Sequence, residues 1–295
     1  MVFVAVEATV WRVERVSPSF VRIGFTTPPG FGRAGPVYDQ RIKVVFPGAN
    51  GLFRYDGPDW FERWCTAPVE VRGAMRTYSI RAIERPPQST RVTIDIVLHP
   101  GAEGPASAWA ASAQPGDRVM LLGPSRDGPV SGIEFAPGKA EWIILAGDET
   151  AAPAIARILE DLPRRARGIA YIEVPVAADR LPIDAPPGIR VVWLPREGTS
   201  HGSRLAAALL PDLTDPDPDE PVEEPFDAPL VWETPTYSSR GEPVAAAVPA
   251  TGTYWWIAGE AGMVTRLRRR LIRGYGVERH QIAFMGYWRQ GLTLD

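Results

Sequence analysis

The sequence predicts two domains of different architecture, a six-stranded antiparallel β-barrel followed by an α/β domain built on a parallel sheet. Up to about residue 135, short alternating runs are separated by Gly/Pro-rich turns, with no long helical pattern between them. After residue 138, near-continuous apolar strands alternate with helical patterns. A chain of 295 residues is long enough for both. We therefore expect a barrel over 1–135 and an α/β domain over 138–295.

Six segments of the first half have the strand pattern that the barrel requires. In chain order they read FVAVEATVWRVERV, FVRIGFT, RIKVVFP, MRTYSIRAI, RVTIDIVLH and DRVMLLGP. Clusters such as TPPGFGRAGP and FPGANG mark the turns between them, and a short helix is expected at ASAWAASA. Six strands and one short helix are enough to close a small barrel.

The second half repeats a strand, turn and helix pattern. It begins with EWIILAGDETAAPAIARILEDLP and continues through the strands GIAYIEVPV and GIRVVWLPR to a helix around SRLAAALL. The same pattern returns in TYWWIAGEAGMVTRLRRRLIRGYG, and the chain closes with the strand HQIAFMGYW. Ligands of parallel sheets bind at the carboxyl ends of the strands. The turns AGDETAAP and AGEAGM are therefore the candidate binding turns of this domain.

An acidic, proline-rich stretch interrupts the second half. Residues 211–250 hold ten acidic residues, one arginine and no lysine. Prolines recur every few residues within 211–229, which excludes a sustained helix or a central strand. We expect a surface insertion that lies away from the functional site.

Composition excludes several classes of function. A net charge of −3 gives no reason to expect nucleic acid. No run of eighteen apolar residues is present, so no membrane-spanning helix is expected. The single cysteine, Cys65, fits a reducing compartment and a cytoplasmic location. The three histidines (His99, His201 and His280) lack metal-ligand spacing, so no metal site is expected.

The strand MRTYSIRAI carries an unusual set of side chains. Arg76, Tyr78, Ser79 and Arg81 present two cations, a phenol and a hydroxyl within six residues. One strand later, HPGAEGPASAWAA places Gly101 and Gly104 in a turn before a helix that starts with proline. Free N–H groups at such a helix start can hold a phosphate. By themselves these segments also fit an exposed strand with surface arginines and an ordinary loop-to-helix junction.

A barrel followed by a parallel-sheet domain resembles the flavin reductases of the ferredoxin reductase type. RTYSIR is similar to the Arg-x-Tyr-Ser/Thr motif of that superfamily. The resemblance implies that Tyr78 packs on a flavin, Ser79 approaches its N5 atom and Arg76 pairs with its pyrophosphate. These residue types suit that ligand, because a pyrophosphate favours a guanidinium and an isoalloxazine favours an aromatic face.

Five motifs together resemble a narrower family, the siderophore-interacting proteins, which are FAD-dependent ferric-siderophore reductases. They are RTYSIR, HPGAEGPASAWA, GDETAAPAIARIL, WIAGEAGMVTRLRRRL and GYWRQG, in this order over about residues 76–291. The resemblance implies that NADPH, NADH or a reduced ferredoxin reduces FAD, which then passes electrons to Fe(III) in a siderophore. The acidic insertion departs from the compact pattern of the family.

The resemblance also implies the site residues. FAD and the nicotinamide nucleotide are expected at Arg76, Thr77, Tyr78, Ser79, Ile96, Leu98, His99, Gly101, Gly104, Pro105, Ala106, Ser107, Trp109, Gly147, Asp148, Thr150, Ala151, Pro153, Arg196, Gly259, Glu260 and Trp288. Within this set, Arg196 is the candidate for an adenosine 2′-phosphate, and a solvated loop arginine is the alternative.

Positive charge is expected on the substrate side, because ferric siderophores such as catecholates are anions. The resemblance implies Lys43, Arg126 and Arg289 for this role, with Ser79 tuning the flavin. Two other functions stay open from the sequence. One is a general flavin or ferredoxin-NADP reductase, and the other is a non-enzymatic protein that binds flavin or an iron chelate.

Overall fold

The computed structural model describes residues 3–55, 57, 59–98, 104–210, 230–235, 237–239 and 251–291. The predicted insertion at 211–229 lies outside these residues. The chain divides into two compact units, the first running to Ile133 and the second beginning at Glu134. Each unit is built on one seven-stranded sheet. Within the described residues, no helix has both the length and the apolar character needed to cross a membrane.

The first unit is an antiparallel sheet with three short helices. Its strands are β1 (Phe3–Arg15), β2 (Phe20–Thr27), β3 (Arg41–Val45), β4 (Met75–Ser79), β5 (Ala82–Glu84), β6 (Thr90–Val97) and β7 (Arg118–Pro124). Its helices are α1 (Trp60–Thr66), α2 (Val69–Arg72) and α3 (Pro105–Ser112), the last at the predicted position. The strand order is β4-β3-β7-β1-β2-β6-β5.

The two edge strands of this sheet, β4 and β5, are consecutive in the chain. Only two residues, Ile80 and Arg81, join them. The backbone N–H of the first bonds beside β3, next to one edge of the sheet, and that of the second bonds to β6, next to the other edge. Ile80 N donates to Gln40 O at 2.9 Å, beside β3, and Arg81 N donates to Thr93 O at 2.8 Å, in β6. The segment MRTYSIRAI, predicted as a single strand, therefore forms two strands, and these lie at the two opposite edges of the sheet. The predicted barrel architecture is confirmed, with seven strands instead of six.

The interior of the barrel is filled by one face of each strand. On β2 and β6 every second side chain is buried, as the period of two requires. These residues are Val21, Ile23, Phe25, Val92, Ile94 and Ile96, each at most 4% exposed. Burying a side chain of this size stabilises the fold by roughly 1.5–3 kcal/mol. A smaller cluster packs Trp60 and Trp64 of α1 on Val45, Met120 and Leu122.

The second unit is a mixed sheet with helices. Its strands are β8 (Trp142–Gly147), β9 (Arg167–Val174), β10 (Gly188–Pro195), β11 (Trp232–Thr234), β12 (Tyr237–Ser238), β13 (Thr253–Glu260) and β14 (Ile282–Trp288). Its α-helices are α4 (Ala152–Asp161), α5 (Ser203–Leu209) and α6 (Ala261–Arg269). Short 3₁₀ turns lie at Ala177–Asp179 and Arg279–Gln281, and a π-turn over Arg270–Gly274 extends α6.

Five of these strands are parallel, and they bring four loops to one edge. The order is β10-β9-β8-β13-β14-β11-β12, with β11 and β12 pairing antiparallel at the end. Helices α5 and α6 share one apolar cluster with Ala146, Ile257 and Phe284 of the sheet. Because β8, β10, β13 and β14 run the same way, the residues after their last positions meet at the carboxyl edge of the sheet.

Candidate functional site

The motif strand β4 pairs with β3 in a register that sorts its side chains between two faces. Tyr78 is opposite Ile42 and Arg76 is opposite Val44, and both of these β3 residues are fully buried in the barrel core. Tyr78 and Arg76 therefore share the inner face, since directly opposed residues project to the same side. The outer face carries the remaining pairs, which are Arg41 with Ser79, Lys43 with Thr77 and Val45 with Met75.

Phe46 links the motif strand to α3. The Tyr78 ring meets the Phe46 ring edge to face at 6.4 Å between centroids, and the Trp109 ring also contacts Phe46, with 5.1 Å between centroids. Burial raises the pKa of Tyr78 well above its ordinary value, so the phenol stays neutral. The structure thus brings the predicted aromatic of the motif and the first turns of α3 to one place.

The start of α3 suits a phosphate group. Pro105 occupies a first-turn position and Gly104 precedes it, and within the described residues no side chain caps this turn. A Cβ added to Gly104 would meet no described atom within 4 Å. N–H groups of a first turn and the helix dipole favour an anion. With the guanidinium of Arg76 in the same unit, these residues fit FAD.

Other residues predicted for FAD have structural roles. Ile96 is 1% exposed and points into the barrel core, so only its backbone is left for a ligand. Trp109 also stacks on Phe25 at 6.4 Å, and Ala106 is buried beside it. Leu98 packs against the same core, and Ser107 Oγ donates to Val97 O at 3.4 Å. His99 and Gly101 lie outside the described residues.

The predicted substrate cations have different neighbours. Lys43 Nζ donates to Thr77 Oγ1 at 2.6 Å, and burial, with the charge of Arg41, lowers the pKa of Lys43. Arg126 is exposed just beyond β7, where its charge adjoins Arg85. Arg289 belongs to the second unit, directly after Trp288. A shared mouth formed by these three cations stays a prediction.

Sequence reasoning missed Arg41. It lies opposite Ser79 and on the same face as Lys43. The signal was available, because the pattern Arg-Ile-Lys in a strand puts its two cations on one side.

In the second unit, the turn after β8 is closely packed around Asp148. A Cβ at Gly147 would lie 2.5 Å from Ala151 Cβ and 2.6 Å from Ala258 O. At Gly259, which has φ +143°, a Cβ would lie 2.6 Å from Asp148 Oδ2. Both predicted glycines are therefore required for the close approach of two chain segments, the turn after β8 and the end of β13, and the backbone at Gly259 also favours glycine. Ala151 and Pro153 are buried at the start of α4.

Asp148 is fully buried and accepts hydrogen bonds from three segments. Its Oδ1 accepts from the backbone N and Oγ1 of Thr150 at 2.9 and 2.6 Å. Its Oδ2 accepts from Glu260 N at 2.7 Å and from Trp288 Nε1 at 3.0 Å, and lies 3.1 Å from His201 Nε2. Burial, and secondly the charge of Glu149, raises the pKa of Asp148 to about 6. The structure thus joins four residues predicted for the nucleotide through one carboxylate.

Glu260, which ends β13, serves α6 as well. Its carboxylate accepts from Met263 N at 2.7 Å and so caps that helix. The predicted role of Glu260 toward a nucleotide stays a prediction beside this structural one.

Arg196, the predicted contact of a 2′-phosphate, is engaged with two buried carboxylates. It donates to both oxygens of Glu149 at 2.6 and 2.7 Å and to Glu173 at 3.2 Å. Glu173 also accepts from Gly202 N and Leu205 N at the start of α5. A phosphate at Arg196 would compete with these carboxylates, so the role remains a prediction with a structural alternative. Neither Glu173 nor its two amide donors was foreseen.

Asp148, Glu149 and His201 offer ligand atoms within 4.8 Å of one another. Both Glu149 oxygens already accept from Arg196, and both Asp148 oxygens already accept N–H or O–H donors. The group is therefore an ion-pair and hydrogen-bond network of the fold. The spacing of the histidines gives no sign of this network, since His201 reaches it from the loop after β10, at the carboxyl edge of the sheet.

Comparison with family models identifies both halves of the chain. Residues 9–128 match the siderophore-interacting FAD-binding domain, and residues 140–291 match the siderophore-interacting protein model. The ferric vibriobactin reductase ViuB of Vibrio cholerae is 29% identical over 286 residues, which is 95% of this chain and 88% of the relative. An NADPH-dependent ferric-chelate reductase of Escherichia coli is 30% identical over 210 residues, covering 70% of this chain and 77% of the relative.

A solved structure agrees with these matches. The crystal structure of a siderophore utilization protein from T. fusca superposes with a TM-score of 0.69 and 30% identity, covering 100% of this chain and 97% of that one.

Proposed function

Because this chain belongs to the siderophore-interacting protein family, we propose that it is an FAD-dependent enzyme that reduces Fe(III) in ferric siderophores with electrons from NADPH or NADH. Relatives named as ferric vibriobactin reductase and as NADPH-dependent ferric-chelate reductase support this activity and substrate class. When bound, FAD supplies the conversion of a two-electron hydride into single-electron transfer. Reduced iron binds hard oxygen ligands more weakly, so reduction releases it.

The observation that carries the proposal is the meeting of β4 and α3 around Phe46. Tyr78, a neutral buried phenol, and Trp109 of α3 both contact Phe46, and no side chain among the described residues caps the start of α3. We assign the aromatic face of Tyr78 to the isoalloxazine, and the guanidinium of Arg76 with the N–H groups of α3 to the pyrophosphate. Ser79, on the outer face of the same strand, is the hydroxyl donor for the flavin.

The substrate side rests on charge. Arg41 and Lys43 lie together on the face that also holds Ser79. Two cations on one face attract an anionic ferric complex through their field, without a fixed set of hydrogen bonds. The residues required by this chemistry bind and orient, and none of them acts as an acid, base or nucleophile. Arg126 and Arg289 are added to this cationic set as part of the proposal.

The nucleotide is assigned to the carboxyl edge of the second unit, at the turns that follow β8 and β13. A reduced ferredoxin is the alternative donor. The relative named as NADPH-dependent supports a nicotinamide nucleotide.

The test is anaerobic and uses the purified full chain. A bound-flavin absorption spectrum is expected, followed by bleaching on addition of NADPH or NADH. Addition of Fe(III) tris(catecholate) should restore the oxidised flavin spectrum and produce Fe(II) that a chromophoric chelator captures. Bleaching without Fe(II) would indicate a general flavin reductase. Flavin that neither nucleotide nor reduced ferredoxin can bleach would indicate a binding protein and contradict the proposal.

A further inference from the structure

His201 contacts two other side chains at the carboxyl edge of the second sheet. Its Nε2 lies 3.1 Å from Asp148 Oδ2, and its ring meets the Trp288 ring edge to face, with 5.1 Å between centroids. Trp288 donates its indole N–H to the same Asp148 oxygen at 3.0 Å. The three residues come from the loop after β8, the loop after β10 and the last position of β14. They form a closed triangle that ties three strand ends together.

We infer that His201 is a positioning residue that holds Trp288, and with it the start of the segment carrying Arg289, through a proton shared with Asp148. The inference rests on the proposed function, because it gives the held segment a part in ferric-siderophore reduction.

The number of donors at one oxygen supports a shared proton. Asp148 Oδ2 already receives the N–H of Glu260 at 2.7 Å and that of Trp288, and both donors are fixed at strand ends. A carboxylate oxygen has two lone-pair directions. The His201 contact at 3.1 Å therefore either adds an imidazole N–H as a third donor or takes a proton from a neutral Asp148. Both arrangements place one proton between the two side chains.

The charges around Asp148 set the pH range in which that proton moves. Glu149 lies on the same turn, Glu260 donates its backbone N–H to Asp148 from the end of β13, and His201 faces Asp148 from the loop before α5. Arg196 neutralises Glu149, and Glu260 is occupied with the Met263 N–H. Burial and the Glu149 charge raise the pKa of Asp148 to about 6, while His201 lowers it.

Protonation of Asp148 weakens the hydrogen bond that its carboxylate accepts from the Trp288 indole N–H. An ionised acceptor makes a stronger hydrogen bond with an N–H donor than a neutral one does. The indole is therefore held most firmly above the midpoint of the titration. If His201 only filled space, replacing it with an apolar residue of similar size would leave this midpoint unchanged.

The experiment follows the indole N–H resonance of Trp288 in the ¹⁵N-labelled full chain, assigned with Trp288→Phe. It is titrated in wild type, His201→Leu, His201→Gln and His280→Leu, the last being a control whose imidazole lies 3.1 Å from Glu278 instead. The rate of Fe(III) tris(catecholate) reduction by NADPH is measured over the same pH range.

In wild type the resonance should titrate near pH 6. In His201→Leu its midpoint should rise by about 0.5–1 pH unit, the effect of losing one partly screened positive neighbour. The pH at which the reduction rate falls on the acid side should shift upward by the same amount. His201→Gln, which keeps a donor, should retain the wild-type rate at pH 7, and His280→Leu should match wild type throughout.

Three results would overturn the inference. They are a resonance that does not titrate, a midpoint in His201→Leu equal to that of wild type, and a shifted midpoint with an unshifted acid limb. Absence of ferric reduction in all four proteins, with the resonance still shifting in His201→Leu, would instead remove the proposed function and the role in reduction, while the shared proton would stand.

Discussion

Arg196 donates hydrogen bonds to both carboxylate oxygens of Glu149, at 2.6 and 2.7 Å, although the two residues are 47 positions apart in the second unit. The Arg196 side chain is 12% exposed and that of Glu149 is 1% exposed. Arg196→Ala would leave Glu149 and Glu173 buried without their cation. We expect the free energy of unfolding to fall by about 3–5 kcal/mol, as for other broken buried pairs.

Chemical denaturation measures this loss. The matched control is Arg190→Ala on β10, an exposed arginine whose removal should change stability by less than about 0.5 kcal/mol. Equal stability of the two variants would show that the ion pair is not structural. A loss of NADPH binding with unchanged NADH binding, at full stability, would assign Arg196 to the 2′-phosphate alone.

Arg76→Ala should weaken FAD binding. Loss of a charged hydrogen bond to the pyrophosphate costs roughly 1.5–3 kcal/mol, so the dissociation constant should rise about tenfold or more. Flavin retention during gel filtration, followed by titration of the apoprotein with FAD, measures the effect. Arg91→Ala is the control, because Arg91 lies over the Trp11 ring, outside the motif. Equal FAD affinity in the two variants would exclude the pyrophosphate role.

Ser79→Ala should slow reduction of the flavin and leave the fold intact. Loss of one hydrogen bond of about 1 kcal/mol corresponds to roughly a fivefold lower rate. Stopped-flow bleaching at saturating NADPH gives the rate. Ser112→Ala, at the exposed end of α3, controls for serine removal within the same unit. A wild-type bleaching rate in Ser79→Ala would contradict the proposed contact.

The triple replacement of Lys43, Arg126 and Arg289 by alanine should reduce the rate with anionic ferric complexes and weaken its salt dependence, because screening acts on the field of these charges. NADPH reduction of FAD should stay normal. Lys139→Ala, an exposed lysine elsewhere, is the control. Undiminished reduction of Fe(III) tris(catecholate) by the triple variant would place the substrate elsewhere.

The same set predicts an alkaline limb. The pKa of Lys43 is lowered by burial and by Arg41, so its charge is lost at a lower pH than that of an ordinary lysine. The rate with an anionic complex should therefore begin to fall below the usual lysine range. Lys43→Arg, which stays charged, should remove this limb. An alkaline limb of unchanged position in Lys43→Arg would assign it to another group.

Asp148 predicts an unusual pH dependence of stability. Its pKa is raised from 3.8 to about 6 in the fold, so between these values the folded chain binds more protons than the unfolded chain. The contribution of this group to stability therefore rises as pH falls from 7 toward 4, by at most about 3 kcal/mol. Asp148→Asn should flatten that dependence in denaturation midpoints, whereas Asp184→Asn, on an exposed carboxylate, should keep it. A wild-type slope in Asp148→Asn would contradict the assignment.

Local sequence patterns predicted most of the secondary structure. They failed between Ile80 and Arg81, where the backbone hydrogen bonds change from the β3 side of the sheet to β6. Alternation placed the barrel strands because burial of one face is a local, period-two property. This break does not alter the alternation of apolar and polar side chains, because it changes only the partners of the backbone hydrogen bonds. The triangle of Asp148, His201 and Trp288 joins residues up to 140 positions apart, and a single sequence records no such contacts.

The segment that carries the flavin motif is also the seam of the barrel. Residues 76–79 lead directly into Ile80 and Arg81, whose amides join the two edges of the sheet. A ligand that binds only the form with these two edges joined stabilises that form. The stabilisation grows with the logarithm of the ratio of ligand concentration to dissociation constant. Cofactor occupancy and the integrity of the seam are therefore thermodynamically linked. We therefore expect loss of FAD to lower the free energy that holds these two edges together, so that proteases should cleave the flavin-free chain faster than the flavin-bound chain.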